Sequence, residues 1–205
     1  QYRTQKRGGK GSKGMETREE DFVTDIFSTS TKTTLLIFSD RGKAYWVKVH
    51  RLPIGTRVSK GKAIANVVNL ASNEKVMSVL PVEKFVESKF IVMLTARGII
   101  KKTSLDAFKN QRQAGIIALT TDLDDYVIDC KISDGQSDFF IATKEGMSIR
   151  FPEEDIRGVG RVARGVKAIT LGKSDIVVGM AVLEKNSKDT ILMVTECGYG
   201  KRSEI

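Results

Sequence analysis

Short apolar runs that turn back at a glycine recur four times along this 205-residue chain. Each unit has an apolar run, a Ser or Thr, two variable residues, a glycine, and a second short run that carries bulky or cationic side chains. A strand, a tight turn with glycine at a position that needs positive φ, and a returning strand make a β-hairpin. The pattern therefore predicts hairpins at residues 34–48, 90–104, 138–152 and 190–204.

These turns recur with a period of about 50 residues, marked by Gly42, Gly98, Gly146 and Gly198. A fixed period of this length is the sequence signature of repeat architectures such as solenoids and propellers. Helical periodicity is weak throughout, and residues 103–112 fit either one short turn of helix or a loop. The pattern predicts an all-β array of repeated sheets.

A second unit recurs between the hairpins. It consists of a basic, glycine-containing loop, a short strand containing Ala or Ile, and a strand with alternating polarity. The loops and short strands read QKRGGKGSKGM, IGTRVSKGKAI, NQRQAGIIAL and VGRVARGVKAI, and the alternating strands are predicted at residues 21–29, 74–82, 125–133 and 175–183. Each period thus holds about four short strands, the content of one propeller-like blade.

The chain shows no internal boundary. No Pro-, Ser- or Gly-rich linker interrupts the repeat, and the sequence contains only three prolines. Hydrophobic residues make up 40% of the composition, enough to bury a real core. We therefore expect residues 1–205 to form a single continuous β-domain rather than two domains.

Charge is the first indication of a partner. Lys and Arg number 34 against 25 Asp and Glu, so the formal net charge is +9, which favours a polyanionic partner. Anionic membranes are disfavoured, since no apolar run approaches the roughly 18 residues needed to span a bilayer, and no amphipathic basic helix or signal peptide is evident. The expectation is a soluble, cytosolic protein.

Candidate catalytic and metal-binding residues are scarce. Cys130 and Cys197 lie far apart in apolar stretches, so both are expected to be core thiols. His50 is the sole histidine and sits among cations, in KVHRLP. A zinc site is therefore excluded, the same scarcity argues against a Ser-His or Cys-His nucleophile pair, and no other catalytic constellation is present.

The segment QKRGGKG, residues 5–11, places three cations and three glycines within seven positions. Glycine admits backbone conformations closed to other residues and leaves no side chain between the main chain and a partner. Such a run can therefore bring several N–H groups and cations to one anion, and a phosphate backbone is the natural candidate. A disordered basic tail is the other interpretation.

Basic residues also gather in the loops and returning strands of every period. Equivalent positions of successive blades lie on one rim, so a cation repeated in each blade forms a basic stripe, although any one of them alone is an ordinary solvated charge. Duplex DNA is stiff, and phosphate contacts that ignore base sequence must offset the cost of bending it, so salt-sensitive wrapping is expected. The candidate rim contacts are Arg41, Lys43, Lys48, Arg57, Lys60, Lys62, Arg97, Lys101, Lys102, Arg112, Arg150, Arg161, Arg164, Lys167, Lys201 and Arg202.

QKRGGKG resembles the heptapeptide box that marks the C-terminal domain of the DNA gyrase A protein. FSDRGKAYWVKVHRLP, LTARGIIKKTSLDAF and TECGYGKRS resemble that domain's blades. The resemblance implies a β-pinwheel, a propeller-like array of four-stranded blades with strands exchanged between neighbours; the intact family domain has six blades, and about four are covered here. The DNA-binding box is Gln5, Lys6, Arg7, Gly8, Gly9, Lys10 and Gly11, with Lys in place of Arg at its second and sixth positions.

The resemblance also implies a role. In the family, DNA wraps with one hand around the basic perimeter, so that the holoenzyme introduces negative supercoils in an ATP-dependent manner. The catalytic tyrosine and the ATPase site lie outside this sequence. This domain is accordingly expected to be non-catalytic, monomeric when isolated and free of cofactors, while the A2B2 holoenzyme formed with the gyrase B protein uses ATP and magnesium in the bacterial cytoplasm, in association with the chromosome. Packing roles are expected for Tyr2, Tyr45, Tyr126 and Tyr199.

Two other interpretations stay open. The C-terminal domain of the topoisomerase IV protein that corresponds to gyrase A shares the blades but lacks an intact box, and it steers substrate choice instead of wrapping. A propeller-like scaffold for protein partners would carry apolar and aromatic anchors on its rim, whereas aromatic residues make up 7% of this chain.

Overall fold

The computed structural model describes residues 4–11, 15, 23–56, 59–185 and 188–204, and within them it is all-β, as the sequence predicts. Short 3-10 turns lie at Val49–Arg51, Ile64–Asn66, Leu105–Phe108 and Glu153–Asp155. The strands are β1 (Thr34–Ser39), β2 (Lys43–Lys48), β3 (Val76–Val82), β4 (Phe90–Thr95), β5 (Ile99–Ser104), β6 (Ile116–Ile117), β7 (Val127–Ser133), β8 (Asp138–Thr143), β9 (Ser148–Pro152), β10 (Val166–Lys167), β11 (Val177–Leu183), β12 (Thr190–Val194) and β13 (Gly200–Glu204).

Antiparallel hairpins form the centre of each sheet. The pairs β1–β2, β4–β5, β8–β9 and β12–β13 coincide with the hairpins that the sequence predicts. Each alternating strand that follows a hairpin returns to pair with its first strand, as β3 does with β1, β7 with β4 and β11 with β8. In the described part of the chain, the sheet orders are β3-β1-β2-β6, β10-β5-β4-β7, β11-β8-β9 and β12-β13.

Neighbouring sheets exchange short strands. β6 follows the second hairpin along the chain but pairs with β2 of the first sheet, where Ile116 faces Ala44. β10 follows the third hairpin but pairs with β5 of the second sheet, where Val166 faces Ile100. These two basic loops therefore cross from one sheet to the sheet before it, which is the exchange expected of a pinwheel.

A side-chain hydroxyl closes every hairpin turn. The Ser or Thr at the end of the first strand, or directly after it, accepts a hydrogen bond from the N–H four residues later, and the turn glycine between them has φ between 70° and 87°. This geometry is the physical reason for the repeated pattern of a hydroxyl, two variable residues and a glycine. The N–H to hydroxyl pairs are Lys43 to Ser39 (3.2 Å), Ile99 to Thr95 (3.1 Å), Met147 to Thr143 (3.1 Å) and Tyr199 to Thr195 (3.2 Å).

A carboxylate just before β3, β7 and β11 accepts main-chain or side-chain hydrogen bonds near each hairpin. The sequence did not lead us to predict these contacts. Asp125 and Asp175 each accept a hydrogen bond of 3.0 Å from a main-chain N–H in the turn of the second and third hairpin. Glu74 takes the equivalent place in the first sheet, where its carboxylate accepts from the Ala71 N–H and the Tyr45 hydroxyl, both at 2.8 Å. In the sequence, these carboxylates are recognisable as an Asp or Glu two residues before each of β3, β7 and β11.

The core lies between neighbouring sheets. Phe38 of the first sheet packs edge-on against Phe108, 5.9 Å between ring centroids, in a cluster that also holds Cys130 of the second sheet. Phe139 of the third sheet packs with Ile100 of the second in the next cluster. A third cluster covers the other face of the first sheet with side chains of that sheet and of the loop that follows its hairpin.

Two strand predictions and one cysteine prediction are wrong. Residues 23–30 form no strand, nor do the described residues from Gly61 to Ile64, where the structure instead begins a 3-10 turn. The first segment corresponds to strands that pair with the hairpin directly before them, and the second to exchanged strands that pair with the hairpin of the previous sheet. The described residues before Val23 contain no hairpin for either segment to pair with. Cys130 is buried as predicted, whereas Cys197 is exposed at the fourth turn.

Candidate nucleic-acid interface

The box, residues 5–11, forms a closed loop. The Gly9 N–H donates to the Lys6 carbonyl at 3.0 Å, which makes a tight turn. The Gln5 side chain then bridges the two ends of the segment, because its Oε1 accepts the Gly11 N–H at 3.1 Å. The segment is exposed throughout its length, so the closed loop presents Lys6, Arg7 and Lys10 to solvent.

The three glycines of the box meet two different requirements. Gly8 and Gly11 have φ values of 83° and 72°, in the left-handed region that side chains disfavour. Gly9 leaves room for the bridge, since a Cβ there would lie 2.7 Å from Gln5 Oε1 and the bridging amide would have to shift. The glycines therefore shape the loop as well as open it to a partner.

The loop of the next repeat contacts residue 15, four positions beyond the box. A Cβ at Gly61 would lie 3.0 Å from Cε of Met15, so residue 15 contacts the loop that presents Lys60 and Lys62. Both lysines are exposed. The contact is thus made by residue 15 and the loop that carries these lysines.

The later basic loops lie across equivalent places on successive sheets. Gly115 passes over the first sheet, where a Cβ would be 2.6 Å from the Tyr45 ring. Gly165 passes over the second sheet, where a Cβ would be 2.3 Å from the Ile100 carbonyl oxygen. These two loops thus take equivalent positions on successive sheets.

A spacing within these loops escaped the sequence analysis. Arg7, Lys10 and Gly11 of the box recur as Arg161, Arg164 and Gly165, and in sequence as an Arg at 57 with Lys60 and Gly61. The loop of residues 111–115 keeps the glycine but has Gln and Ala at the two cationic positions. Cation density is therefore unequal from one loop to the next.

Most of the predicted rim cations are solvent-accessible in the structure. Lys43, Lys48 and Arg161 are partly buried, and Lys48 Nζ donates to the Thr34 hydroxyl at 2.7 Å. Arg57 lies outside the described residues. The exposed members are Arg41, Lys60, Lys62, Arg97, Arg112, Arg150, Arg164, Lys167, Lys201 and Arg202.

Three exposed arginines form surface ion pairs with aspartates. The N···O distances are 2.6 Å for Arg97–Asp124, 2.9 Å for Arg164–Asp122 and 2.7 Å for Arg150–Asp138. Exposed pairs of this kind contribute about 0–1 kcal/mol, so a phosphate can displace the aspartate at little cost.

Lys101 was predicted to lie on the rim, but its side chain is only 1% exposed. Its Nζ donates to the Ala118 carbonyl at 2.6 Å and to the Arg161 carbonyl. Burial, together with the Arg161 charge, lowers the pKa of Lys101 to about 8. The prediction that this lysine contacts DNA is wrong, since loops from two neighbouring repeats cover it.

Lys102 was also predicted to lie on the rim, but it is only 7% exposed. Its Nζ donates to the Glu153 carbonyl at 3.1 Å and lies 5.0 Å from the centroid of the Phe90 ring. Trp46 occupies the same register position in β2, and its indole N–H donates to the Phe108 carbonyl at 2.9 Å. Both side chains fasten a sheet to the 3-10 turn of the next repeat. Side chains at this register position therefore make contacts between sheets, and the prediction that Lys102 contacts DNA is wrong.

The tyrosines are placed unequally. Tyr45 is buried, which agrees with a packing role, and Tyr126 is partly exposed at 42%. Tyr199 is 80% exposed at the fourth turn, so its predicted packing role is wrong. Tyr2 lies outside the described residues.

Other chemistries have no assembled site in the described chain. No group of three or more His, Cys, Asp or Glu side chains there is arranged to hold a metal ion. Nor does any helix among those residues have the length and apolarity to cross a membrane.

A family model described as "DNA gyrase C-terminal domain, beta-propeller" matches almost the whole chain. The matched residues are 1–30, 33–83, 89–134, 137–184 and 189–205.

Curated relatives match over the full length of the chain. The DNA gyrase A protein of Buchnera aphidicola subsp. Baizongia pistaciae is 41% identical over 204 residues, which cover 100% of this chain and 24% of that protein. The DNA gyrase A protein of Staphylococcus aureus is 40% identical over 205 residues, which cover 100% of this chain and 23% of that protein. The chain thus spans about a quarter of the length of these relatives.

Solved structures share the architecture. The C-terminal domain of DNA topoisomerase IV superposes with a TM-score of 0.73 at 30% identity, covering 84% of this chain and 53% of that one. The DNA gyrase A C-terminal domain superposes with a TM-score of 0.70 at 24% identity, covering 85% and 55%. The second comparison shows the common fold alone.

Proposed function

This chain belongs to the DNA gyrase C-terminal domain family, and we propose that it binds duplex DNA and bends it along its series of basic loops. The observation that carries the proposal is the box, whose cations are held in solvent on a loop closed by Gln5. A preformed loop contacts phosphates without first losing backbone entropy, which favours tight binding.

The recognition is proposed to be electrostatic. Lys6, Arg7 and Lys10 contact phosphate oxygens, and the exposed cations of the later loops extend the DNA path. Such contacts do not read base sequence, and each releases counterions, so affinity falls steeply with salt. Bending a 20–30 base-pair site costs about 1–6 kcal/mol, which the contacts of several loops must offset.

In the whole protein, this domain would supply wrapping and no bond-making chemistry. We propose that it acts within a gyrase A protein that assembles with the gyrase B protein as A2B2 in the bacterial cytoplasm. Wrapping of one hand presents a DNA segment to the strand-passage core, so that ATP-dependent passage introduces negative supercoils. ATP and magnesium act elsewhere in that assembly, and this domain needs no cofactor.

A second candidate is the equivalent domain of topoisomerase IV, favoured by the 30% identity to that solved structure. This role predicts DNA binding that steers substrate choice without chiral wrapping. The complete, closed box favours the gyrase role.

Neutralising the box tests the proposal. In the full-length protein, combined Lys6→Gln, Arg7→Gln and Lys10→Gln should abolish supercoiling of relaxed plasmid by the reconstituted holoenzyme. The matched control is Lys32→Gln, Lys75→Gln and Lys188→Gln, which removes the same charge from exposed lysines outside the box.

Supercoiling should survive in the control, and relaxation without ATP should survive in both variants. Unchanged supercoiling by the box variant would refute the role of these three cations. Equal loss in both variants would show that net charge matters and that the box does not.

A further inference from the structure

Lys101 of β5 is a buried cation that the proposed phosphate contacts leave unexplained. Its side chain is 1% exposed, and its ammonium donates to the carbonyls of Ala118 and Arg161. Removing an ammonium from water is costly unless polar groups replace its hydration. A group retained at such a cost requires a structural or functional reason.

The two carbonyls belong to different crossing segments. Ala118 follows β6, which is exchanged into the first sheet, whereas Arg161 lies in the basic loop that leads to β10. One ammonium on the second sheet therefore ties the end of one exchanged strand to the basic loop of the next repeat.

Weaker contacts connect the same two segments at the surface. The Thr120 hydroxyl donates to the Val162 carbonyl at 3.4 Å, and Arg164 Nη1 donates to Asp122 Oδ1 at 2.9 Å. Their exposure makes these contacts easily broken, so Lys101 is the protected member of the set.

The same register position lies beneath a loop in the first sheet as well. Tyr45 is equivalent to Lys101, since they face Ile37 and Met93 in the two hairpins. There the loop residue Gly115 packs on the tyrosine ring. The loop over Tyr45 has no cations at the two box-like positions, whereas the loop over Lys101 has Arg at both.

We propose that Lys101 is a positioning residue, which orients the basic loop of residues 157–167 so that Arg161 and Arg164 reach DNA phosphates. The inference rests on the proposed DNA binding and adds to it a residue that never touches DNA. Lys101 acts through main-chain carbonyls, so it fixes the backbone from which the two guanidinium groups extend.

The test is DNA affinity as a function of salt, measured for the full-length protein. Lys101→Met keeps the side-chain length and removes the donors. The slope of log affinity against log salt should decrease in magnitude by about 1.8, the value for two lost phosphate contacts. It should match the slope of the Arg161→Ala, Arg164→Ala double variant. Lys185→Met, which removes an exposed lysine paired with Glu154, is the charge-matched control and should keep the wild-type slope.

A positioning role is separated from a general structural role by combining the substitutions. In the Arg161→Ala, Arg164→Ala background, Lys101→Met should leave DNA affinity and slope unchanged, because the loop no longer carries the contacts. Amide hydrogen exchange at residues 159–164 should accelerate in Lys101→Met. The Arg161→Ala, Arg164→Ala variant serves if Lys101→Met does not fold.

The outcomes are distinct. A wild-type slope in Lys101→Met, or an equal loss of affinity in both backgrounds, overturns the positioning role while leaving DNA binding in place. If Lys101→Met does not fold, a wild-type slope in the Arg161→Ala, Arg164→Ala variant overturns it, because the loop then carries no phosphate contacts for Lys101 to position. Salt-insensitive or absent binding by the wild-type protein overturns the proposed function itself, and the positioning role with it.

Discussion

Gln5 and Gly9 act together in the box. The amide oxygen of Gln5 closes the loop on the Gly11 N–H, and the missing Cβ of Gly9 leaves room for it. Composition and spacing identified the cations and glycines of this segment. The bridging role of Gln5 was not predictable, because it depends on a chain reversal that brings residue 5 back to residue 11.

Gly9→Ala should weaken chiral DNA wrapping without changing any charge. The added Cβ would lie 2.7 Å from Gln5 Oε1, so the closing hydrogen bond must break or shift. The measurement is supercoiling by the reconstituted holoenzyme. Gly179→Ala is the control, because a Cβ there meets no atom within 4 Å. Full activity of Gly9→Ala would show that the closed loop is not required.

Lys101 should give the stability of the protein a specific pH dependence. Its folded-state pKa of about 8 lies below the ordinary value of 10.5. Between these pH values the unfolded chain holds a proton that the folded protein has released, so the free energy of unfolding rises with pH. Relative to Lys101→Met, the wild type should therefore gain stability as the pH increases above 8. Urea unfolding of both proteins on either side of pH 8 measures this, and a constant difference would contradict it.

At the scale of the element, hairpins were predictable and exchanged strands were less so. The hydroxyl, the glycine and the apolar runs of each hairpin lie within about 15 residues, so a local pattern contains the information. The strand predicted at residues 21–29 was wrong in its described part, because a strand also needs an edge to pair with. Sequence periodicity reports the tendency to pair and not the presence of that partner.

The turn hydroxyls should stabilise the hairpins unequally. Thr95 is 1% exposed, so Thr95→Val removes a buried acceptor and should lower the free energy of unfolding by about 1 kcal/mol. Thr195→Val makes the same change in the exposed fourth turn, where water replaces the lost acceptor, and should cost less. Urea denaturation of the two variants provides the comparison, and equal losses would show that burial does not set the contribution.

At the scale of the molecule, the sequence predicted a basic surface but misplaced part of it. Lys101 and Lys102 are neighbours on one strand, so their side chains point to opposite faces. Both are buried because sheets stack side by side and an exchanged loop covers the remaining face. A strand pattern cannot show which neighbours cover it, so rim cations and inter-sheet cations look alike in sequence.

The handedness of DNA wrapping is the most direct test of the proposed function. Nicked circular DNA is bound by the full-length protein, sealed with ligase and freed of protein, and the change in linking number is measured. We predict a change of one sign that grows with protein concentration and disappears when Lys6, Arg7 and Lys10 are replaced by Gln. An unchanged linking number despite DNA binding, or the same change with and without the box cations, would contradict the proposal.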